Sequence, residues 1–433
     1  MLEGQEIVMT TYDSISWIHT FKANGRKTDL ARMAWLLEAL GRPQDKFPAI
    51  HVVGTNGKGS VTAYLQHILS TSGYQVGTFT SPFIISFHDR ICLNGQPISD
   101  LELAQCVSVI RPILTKMSLE TNWDRPTEFE LVTLIMFCYF ANLKPVDIAI
   151  IEAGIGGKTD ATNVFHALAV VCPSISFDHQ ERLGYSLAEI AHQKAEVIKA
   201  KEPVIIGQLE QEASQVFQQV TQKAGSRLYQ LGKDFLLNPS EKTFSFQHDN
   251  LNLTKLRLKL LGQHQKANAC LAIMTAQLLR KSFPKISPKT IQKGIEATTW
   301  PGRSEFIQPN LLLDGAHNPD SIAKLKSLLQ EEFPKRPIHI LFAGLKRKPL
   351  ADLLAQLDTF EVSVTTFDFP EANLLEDYPD KYPQVKDYRD WLQGSVTSDE
   401  LFVVTGSLYF ISEVRQYCLS NANIFKNIFP LIT

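Results

Sequence analysis

The sequence predicts an α/β protein of two successive units: a mostly parallel sheet with a small antiparallel insert, then a second α/β unit. Three observations predict it. Apolar runs that end at small or acidic residues alternate with amphipathic stretches, which is the βα rhythm of a parallel sheet. Between residues 229 and 261 the rhythm gives way to short alternating segments such as Phe244-Ser245-Phe246 and Leu251-Asn252-Leu253, the period of antiparallel strands. It resumes after Pro301-Gly302, a turn pair suited to a hinge. A chain of 433 residues exceeds what one core usually holds, so the division is placed at 1–299 and 300–433.

In chain order, the first unit's strands are read at residues 50–53, 146–151, 169–177 and 203–206. The uncharged run at 131–143 falls well short of the ~20 residues that a membrane span needs and reads as a buried helix. Residues 186–199 read as a helix opened by a Ser-x-x-Glu capping box, with Ser186 at the cap and Glu189 three residues on. The second unit's strands are read at 311–313, 338–342, 362–367 and 401–404. Glu3 and Glu6 stand where a secretion signal would place basic residues, so no targeting segment is expected. Six cysteines form no CxxC pair, and Cys138, Cys172 and Cys270 sit among apolar residues as reduced thiols do, which fits the cytoplasm. With 43 basic residues against 45 acidic ones the chain has no global field for nucleic-acid phosphates, so a small-molecule ligand is expected instead. Neither nucleic acid nor membrane is an expected partner.

The first chemical signal is Gly54-Thr55-Asn56-Gly57-Lys58-Gly59-Ser60, between a strand and a helix with apolar Val61, Leu65, Ile68 and Leu69. Glycines let backbone N–H groups and the helix N-terminus face phosphate oxygens; Lys58 adds a mobile charge and Ser60 a hydroxyl. The spacing departs from G-x-x-x-x-G-K-[ST], because Val52 replaces its first glycine and Gly59 separates Lys58 from Ser60. A generic kinase or GTPase is thereby disfavoured. Glu152 and His179 each follow an apolar run and should emerge at the carboxyl edge of the sheet near this loop. A carboxylate and a hydroxyl such as Ser81 suit magnesium, whereas a histidine nitrogen is less typical of it. A strand-end glutamate is also found as a plain solvated terminus. Lys194 falls in the apolar stripe of the capped helix, formed by Leu187, Ile190, Val197 and Ile198. Either its stem packs inside while the ammonium reaches water, or burial leaves a neutral amine able to take up carbon dioxide.

Ten segments in order carry a resemblance. They are GTNGKGS at 54–60, Ser81-Pro82 with DRICLNG at 89–95, TEFE at 127–130, IEAGIGGKTDATN from Ile151, FDHQERLG from Phe177, HQKAEVIK from His192, GQHQKANA from Gly262, WPGRSE from Trp300, DGAHNP from Asp314 and TGSLYF from Thr405. With these the chain resembles the Mur ligase superfamily and, within it, the folylpolyglutamate and dihydrofolate synthases. Only about fifty residues precede Gly54, too few for the nucleotide-sugar domain of the cell-wall ligases, which favours folate as the acceptor.

The resemblance implies a large N-terminal P-loop ATPase domain, a smaller C-terminal Rossmann-like domain, and an active site between them. It implies ATP and Mg2+ as cofactors, folate and L-glutamate as substrates, and Ser81, Glu152 and His179 as metal ligands. A carbamylated lysine is implied at Lys194, although the family's usual KAGI reads Lys194-Ala195-Glu196-Val197 here, so that Glu196 is an additional acid. Thr55 to Ser60, Asn268, Arg303, Asp314 and His317 are implied around ATP, with Lys58, Lys194 and His317 acting in catalysis. Asn268 is read at the start of its helix, and Asn318 or Asp320 as the cap of the next one. Thr127 and Phe129 are implied near the pterin, beneath a mobile loop at 83–94, and Phe129 suits packing in an apolar helix equally well. Asp160 and Ala161 are compatible with a dihydropteroate site, and Ser407 and Tyr409 with the glutamate side, where a Gly-Ser helix start is the plain alternative. A monomer is expected. Polyglutamylation, dihydrofolate synthesis, both together, or nucleotide binding without turnover remain open at this point.

Overall fold

The structure, a computed structural model, describes residues 11–21, 29–240, 242–249 and 251–425. The reading of Glu3 and Glu6 lies outside these residues. An eight-stranded sheet runs in the order Gln96–Pro97, Ile91–Leu93, Val76–Phe79, Ile148–Glu152, Ala49–Val52, Ala169–Cys172, Val204–Ile206 and Leu228–Gln230. All neighbours are parallel except the hairpin strands at the first edge. Alternation assigns the faces. Ile50 and Val52 pack with Val61 and Leu65 of the helix Lys58–Thr71, whereas Ala49 and Ile151 pack with Phe137 of the helix Glu128–Cys138. A second sheet runs Glu305–Gln308, Leu311–Leu313, Leu401–Thr405, Ile338–Phe342 and Glu361–Val364, antiparallel only at its first pair. Between the sheets in sequence stand the three antiparallel strands Leu236–Pro239, Phe244–His248 and Leu251–Leu256.

Several boundaries differ from the sequence reading. The run at 169–177 stops as a strand at Cys172, because Pro173 has no N–H to give the ladder. The capped helix spans Leu187–Ala195, with Glu196 as its C-cap, so Val197 to Lys199 lie beyond it. Leu228–Gln230 belongs to the parallel sheet and not to the antiparallel insert. The strand Val76–Phe79 escapes the pattern because Gly77 and Thr78 interrupt its apolar run. A Cβ on Gly77 would stand 2.8 Å from the Phe140 ring, which explains the glycine by close packing. Residues 91–94 of the expected loop form part of the hairpin, where the Asn94 side-chain oxygen accepts from Val76 N at 2.8 Å. Among the described residues no helix is long and apolar enough to cross a membrane.

Gly207 follows the strand Val204–Ile206 and donates its N–H to Cys172 at 2.9 Å. An added Cβ would fall 2.1 Å from the Pro173 carbonyl oxygen, which is backbone and cannot swing aside. Gly207→Ala is therefore expected to destabilise the fold by about 1–3 kcal/mol, read as a lower melting temperature in calorimetry. An unchanged melting temperature would show that this approach relaxes freely.

Candidate active site

The strand Ala49–Val52 runs directly into the phosphate-loop sequence, and its course explains the glycines. Gly54 and Gly57 take φ of 132° and 87°, a region that costs a side chain dearly. Gly57 is the N-cap of the helix Lys58–Thr71 and supplies no side chain there, so the first helical N–H groups point into open space. The loop is braced from the next strand's end: Thr55 N donates to Ser174 O at 2.8 Å and Asn56 N to Ser174 Oγ at 3.0 Å. The Lys58 ammonium donates to Thr55 O at 3.1 Å and stands 3.7 Å from Glu152 Oε1. A Cβ on Gly59 would meet the Trp300 indole nitrogen at 3.0 Å, and Ser60 accepts from Gln265 Nε2 at 3.2 Å. Asn268 lies in the second turn of the helix Gln263–Leu279, not at its start, with its amide oxygen 2.7 Å from where a Gly57 Cβ would be.

Glu152 closes its strand, nearly inaccessible. Burial lifts its pKa, against the pull of Lys58 and Arg303, and Ser81 N–H donates to it. His179 takes φ of 51° at the start of the helix Gln180–Leu183. Burial pushes His179 down to about 4, so the imidazole is neutral near pH 7. Among the described residues no three of His, Cys, Asp or Glu gather as a ready metal cage. The Glu152 carboxylate and the Ser81 hydroxyl are oxygen donors of the kind magnesium takes, beside water and phosphate oxygens, whereas the neutral His179 imidazole offers a nitrogen less typical of it.

Of the two fates open to Lys194, the snorkelling one fails. The side chain is 5% exposed, and its amine turns inward to donate to Gly54 O at 2.8 Å. Burial, with the nearby Lys58 charge, lowers its pKa to about 7. Glu196 does not join it, its carboxylate lying 3.5 Å from the ring of half-exposed His192.

The second sheet supplies the opposite wall. The Asp314 carboxylate accepts from Ser304 N, Ser304 Oγ and Ala316 N at 2.8, 2.9 and 2.9 Å, so its oxygens organise the turn after its strand. His317 Nδ1 is 2.7 Å from Gly315 O and Nε2 is 3.9 Å from Asp178 Oδ2. Burial and Lys348 bring His317 down to about 4. Arg303 reaches the same turn, where a Gly315 Cβ would lie 3.2 Å from Nη1. Asn318, rather than Asp320, caps the helix Pro319–Glu332. Its amide also exchanges two hydrogen bonds with Asn56 at 3.1 and 3.0 Å, tying the phosphate loop to the second sheet. Ser407 caps the helix Leu408–Ser420, and the Tyr409 ring stacks on Phe369 at 4.3 Å and meets Phe83 edge-on at 6.2 Å.

At the far end, the Thr127 hydroxyl is engaged in a capping box with Glu130. Phe129 packs 5.8 Å from the Phe79 ring, and Gly154 leaves room for it, since a Cβ there would be 2.7 Å away. Asp160 accepts from Ile155 N at 2.9 Å and from Thr162 N and Oγ1 at 3.0 and 2.6 Å, and Ala161 beside it is fully buried. The residues expected around ATP, metal, pterin and glutamate, with Lys194, all line one cleft of about 980 Å³.

Sequence reading missed a short, nearly buried ion pair of the cleft, Asp178 Oδ1 to Lys348 Nζ at 2.6 Å. Burial opposes charge on Asp178, but Lys348 and the two histidines hold it well below the usual carboxylate range. A lysine shortly after the strand Ile338–Phe342 was the available signal. It also missed Arg90, buried over the Phe129 ring at 5.8 Å and bonded to Glu128 at 3.0 Å.

The class that this fold and cleft define is that of the Mur ligases, whose middle-domain model matches residues 52–276. The chain is 37% identical to the dihydrofolate synthase/folylpolyglutamate synthase of Bacillus subtilis, over 94% of this chain and 99% of that protein. It is 34% identical to the folylpolyglutamate synthase of Lacticaseibacillus casei, over 95% and 99%. A solved structure described as an FPGS-AMPPCP-folate complex superposes with a TM-score of 0.85 at 32% identity, covering 95% of this chain and all of that one. The chain belongs to the folylpolyglutamate synthase and dihydrofolate synthase family.

Proposed function

We infer that this protein is an ATP-dependent, ADP-forming ligase that joins L-glutamate to tetrahydrofolate or its polyglutamates. The observation that carries this is the single cleft in which the phosphate loop, Glu152 and Lys194 face Arg303 and His317 across the two sheets. The relative from Bacillus subtilis bears both names of the family, so dihydropteroate belongs in the substrate panel as a second acceptor. Residues 1–299 are taken as the ATPase and folate-binding domain, and 300–433 as the domain that completes the ATP and glutamate sites.

A carboxylate is a poor acylating agent, so the γ-phosphoryl of ATP is transferred to the folate carboxylate, giving an acyl phosphate and ADP. The glutamate amine then attacks the acyl carbon, phosphate leaves, and the amine proton departs to solvent or a nearby base. In this scheme the open helix N-terminus at Gly57, with Lys58, holds the phosphates, and Asn268 sits where it can receive the base. Ser81, Glu152 and His179 would hold magnesium, and the ion would supply positive charge against the phosphates. Arg303 and His317 approach the phosphates from the far wall, Ser407 and Tyr409 border the glutamate side, and Thr127, Phe129, Asp160 and Ala161 line the pterin end. Closure of the two walls over bound substrates would exclude water that would hydrolyse the acyl phosphate. A cytoplasmic monomer is proposed with this reading; the six buried, unpaired cysteines suit a reducing compartment.

The test is ADP release by purified protein with magnesium, ATP, glutamate and a small folate panel, with products read by mass spectrometry. Release that requires both folate and glutamate, with one added glutamyl unit per ADP, is expected. Nucleotide binding without such release would leave a binding protein instead. Arg303→Ala and His317→Ala should each reduce ligation by about tenfold or more while leaving the melting temperature close to that of the parent. Unimpaired turnover in both variants would remove the second sheet from the chemistry.

A further inference from the structure

His51 lies in the strand that leads into the phosphate loop, three residues before Gly54, and is 1% exposed. A buried imidazole costs desolvation, and its ring lies 4.9 Å from the Phe165 ring, where a phenyl group would pack as well. Among the described residues its side-chain hydrogen-bond partner is Thr162, with Nε2 2.9 Å from Thr162 Oγ1. Proton accounting fixes the direction of that bond. Both Asp160 oxygens already accept backbone N–H groups, from Thr162 and Ile155, so the carboxylate acts as acceptor. The Thr162 hydroxyl, 2.6 Å from Asp160 Oδ1, therefore spends its only proton there. Thr162 Oγ1 can then only accept, and His51 must carry its proton on Nε2. Burial, followed by the Lys199 charge, brings His51 down to about 3, in keeping with a neutral ring. Lys199 steadies the stretch just after Thr162, donating to Phe165 O at 2.6 Å and Asn163 O at 3.3 Å.

The segment so anchored, from Gly154 to Ala161, is a wall of the cleft. One strand thus leads into the phosphate loop and, three residues before Gly54, carries the anchor of another part of the lining. We propose that His51 is a positioning residue which, through Thr162 and Asp160, holds the folate-side wall of the cleft in register with the phosphate loop; naming that wall rests on the functional reading above.

The experiment compares His51→Phe, His51→Gln and Thr162→Val in the full chain. The phenyl variant keeps the volume and loses the donor, whereas the glutamine amide can still donate to Thr162. His51→Phe and Thr162→Val should raise KM for tetrahydrofolate about tenfold or more, since small misplacements at a reacting site are costly. KM for ATP should stay within about twofold, as expected when only one substrate's contacts are lost. His51→Gln should recover most of the difference. A folded His51→Phe with both KM values unchanged, or a glutamine variant as impaired as the phenyl one, overturns the proposal. Nitrogen-15 spectra of the histidine-labelled parent, assigned with the glutamine variant, give a readout independent of folding losses. A proton on Nε2 with no titration between about pH 5 and 8 supports it, and an Nδ1–H ring or a titrating one overturns it. A chain that ligates no folate overturns the functional reading alone, and the spectrum then decides the His51 assignment.

Discussion

Lys58→Ala is expected to slow ligation at least about a hundredfold, a loss of order 3 kcal/mol of transition-state stabilisation. The ammonium is held between Thr55 O and Glu152, at 3.1 and 3.7 Å, at the mouth of a helix whose first N–H groups are open. From there it can follow a phosphoryl group as charge shifts toward the leaving oxygen. Lys58 is the first residue of its helix and its ammonium meets polar partners, so folding should survive. Its loss does leave Glu152 with less to offset burial, which already lifts that carboxyl's pKa. The measurement is kcat at saturating ATP and magnesium, with a melting curve beside it. Near-normal turnover there would remove Lys58 from the phosphoryl-transfer step.

Lys194→Ala should fold yet turn over slowly, by a similar factor, if the active enzyme carries a carbamate at this lysine. A carbamate needs a neutral amine, and burial beside Lys58 lowers this one to about 7 from the ordinary 10.5. Between about 7 and 10.5 the unfolded chain binds the proton that the folded chain has released, so stability of the unmodified protein rises with pH across that window. Below it both states are protonated and the full cost of burying the ammonium remains. Carbamate formation is favoured in the same direction. A small carboxylate in excess should restore part of the activity to Lys194→Ala, whereas Lys194→Arg should not regain it, because guanidinium stays protonated. Carbon-13 bicarbonate should give a signal lost in either variant. An unmodified ammonium in fully active enzyme would sink the idea.

How far the fold could be read without coordinates depended on how local each signal was. The strand at 49–52, the Gly54 to Ser60 turn and the helix after it lie within about twenty-five residues, and side-chain period and glycine conformations act over that range. The Ser186–Glu189 box and the break between the two series of strands were legible for the same reason. The strand Val76–Phe79 was not, because Gly77 answers to Phe140, more than sixty positions away. Nor was the place of Leu228–Gln230, since an edge strand's own residues do not say which ladder it completes. At the site, family motifs named residues that come together in one cleft, but not what engages each. Asn56 meets Asn318 across 262 positions, Lys348 meets Asp178 across 170, and His51 meets Thr162 across 111. Lys194 shows the division most clearly: its place in an apolar stripe was local information, and both fates of its amine agreed with it. The Gly54 carbonyl, 140 positions earlier, turned the amine inward, because a buried donor must find an acceptor and only the folded chain places one there.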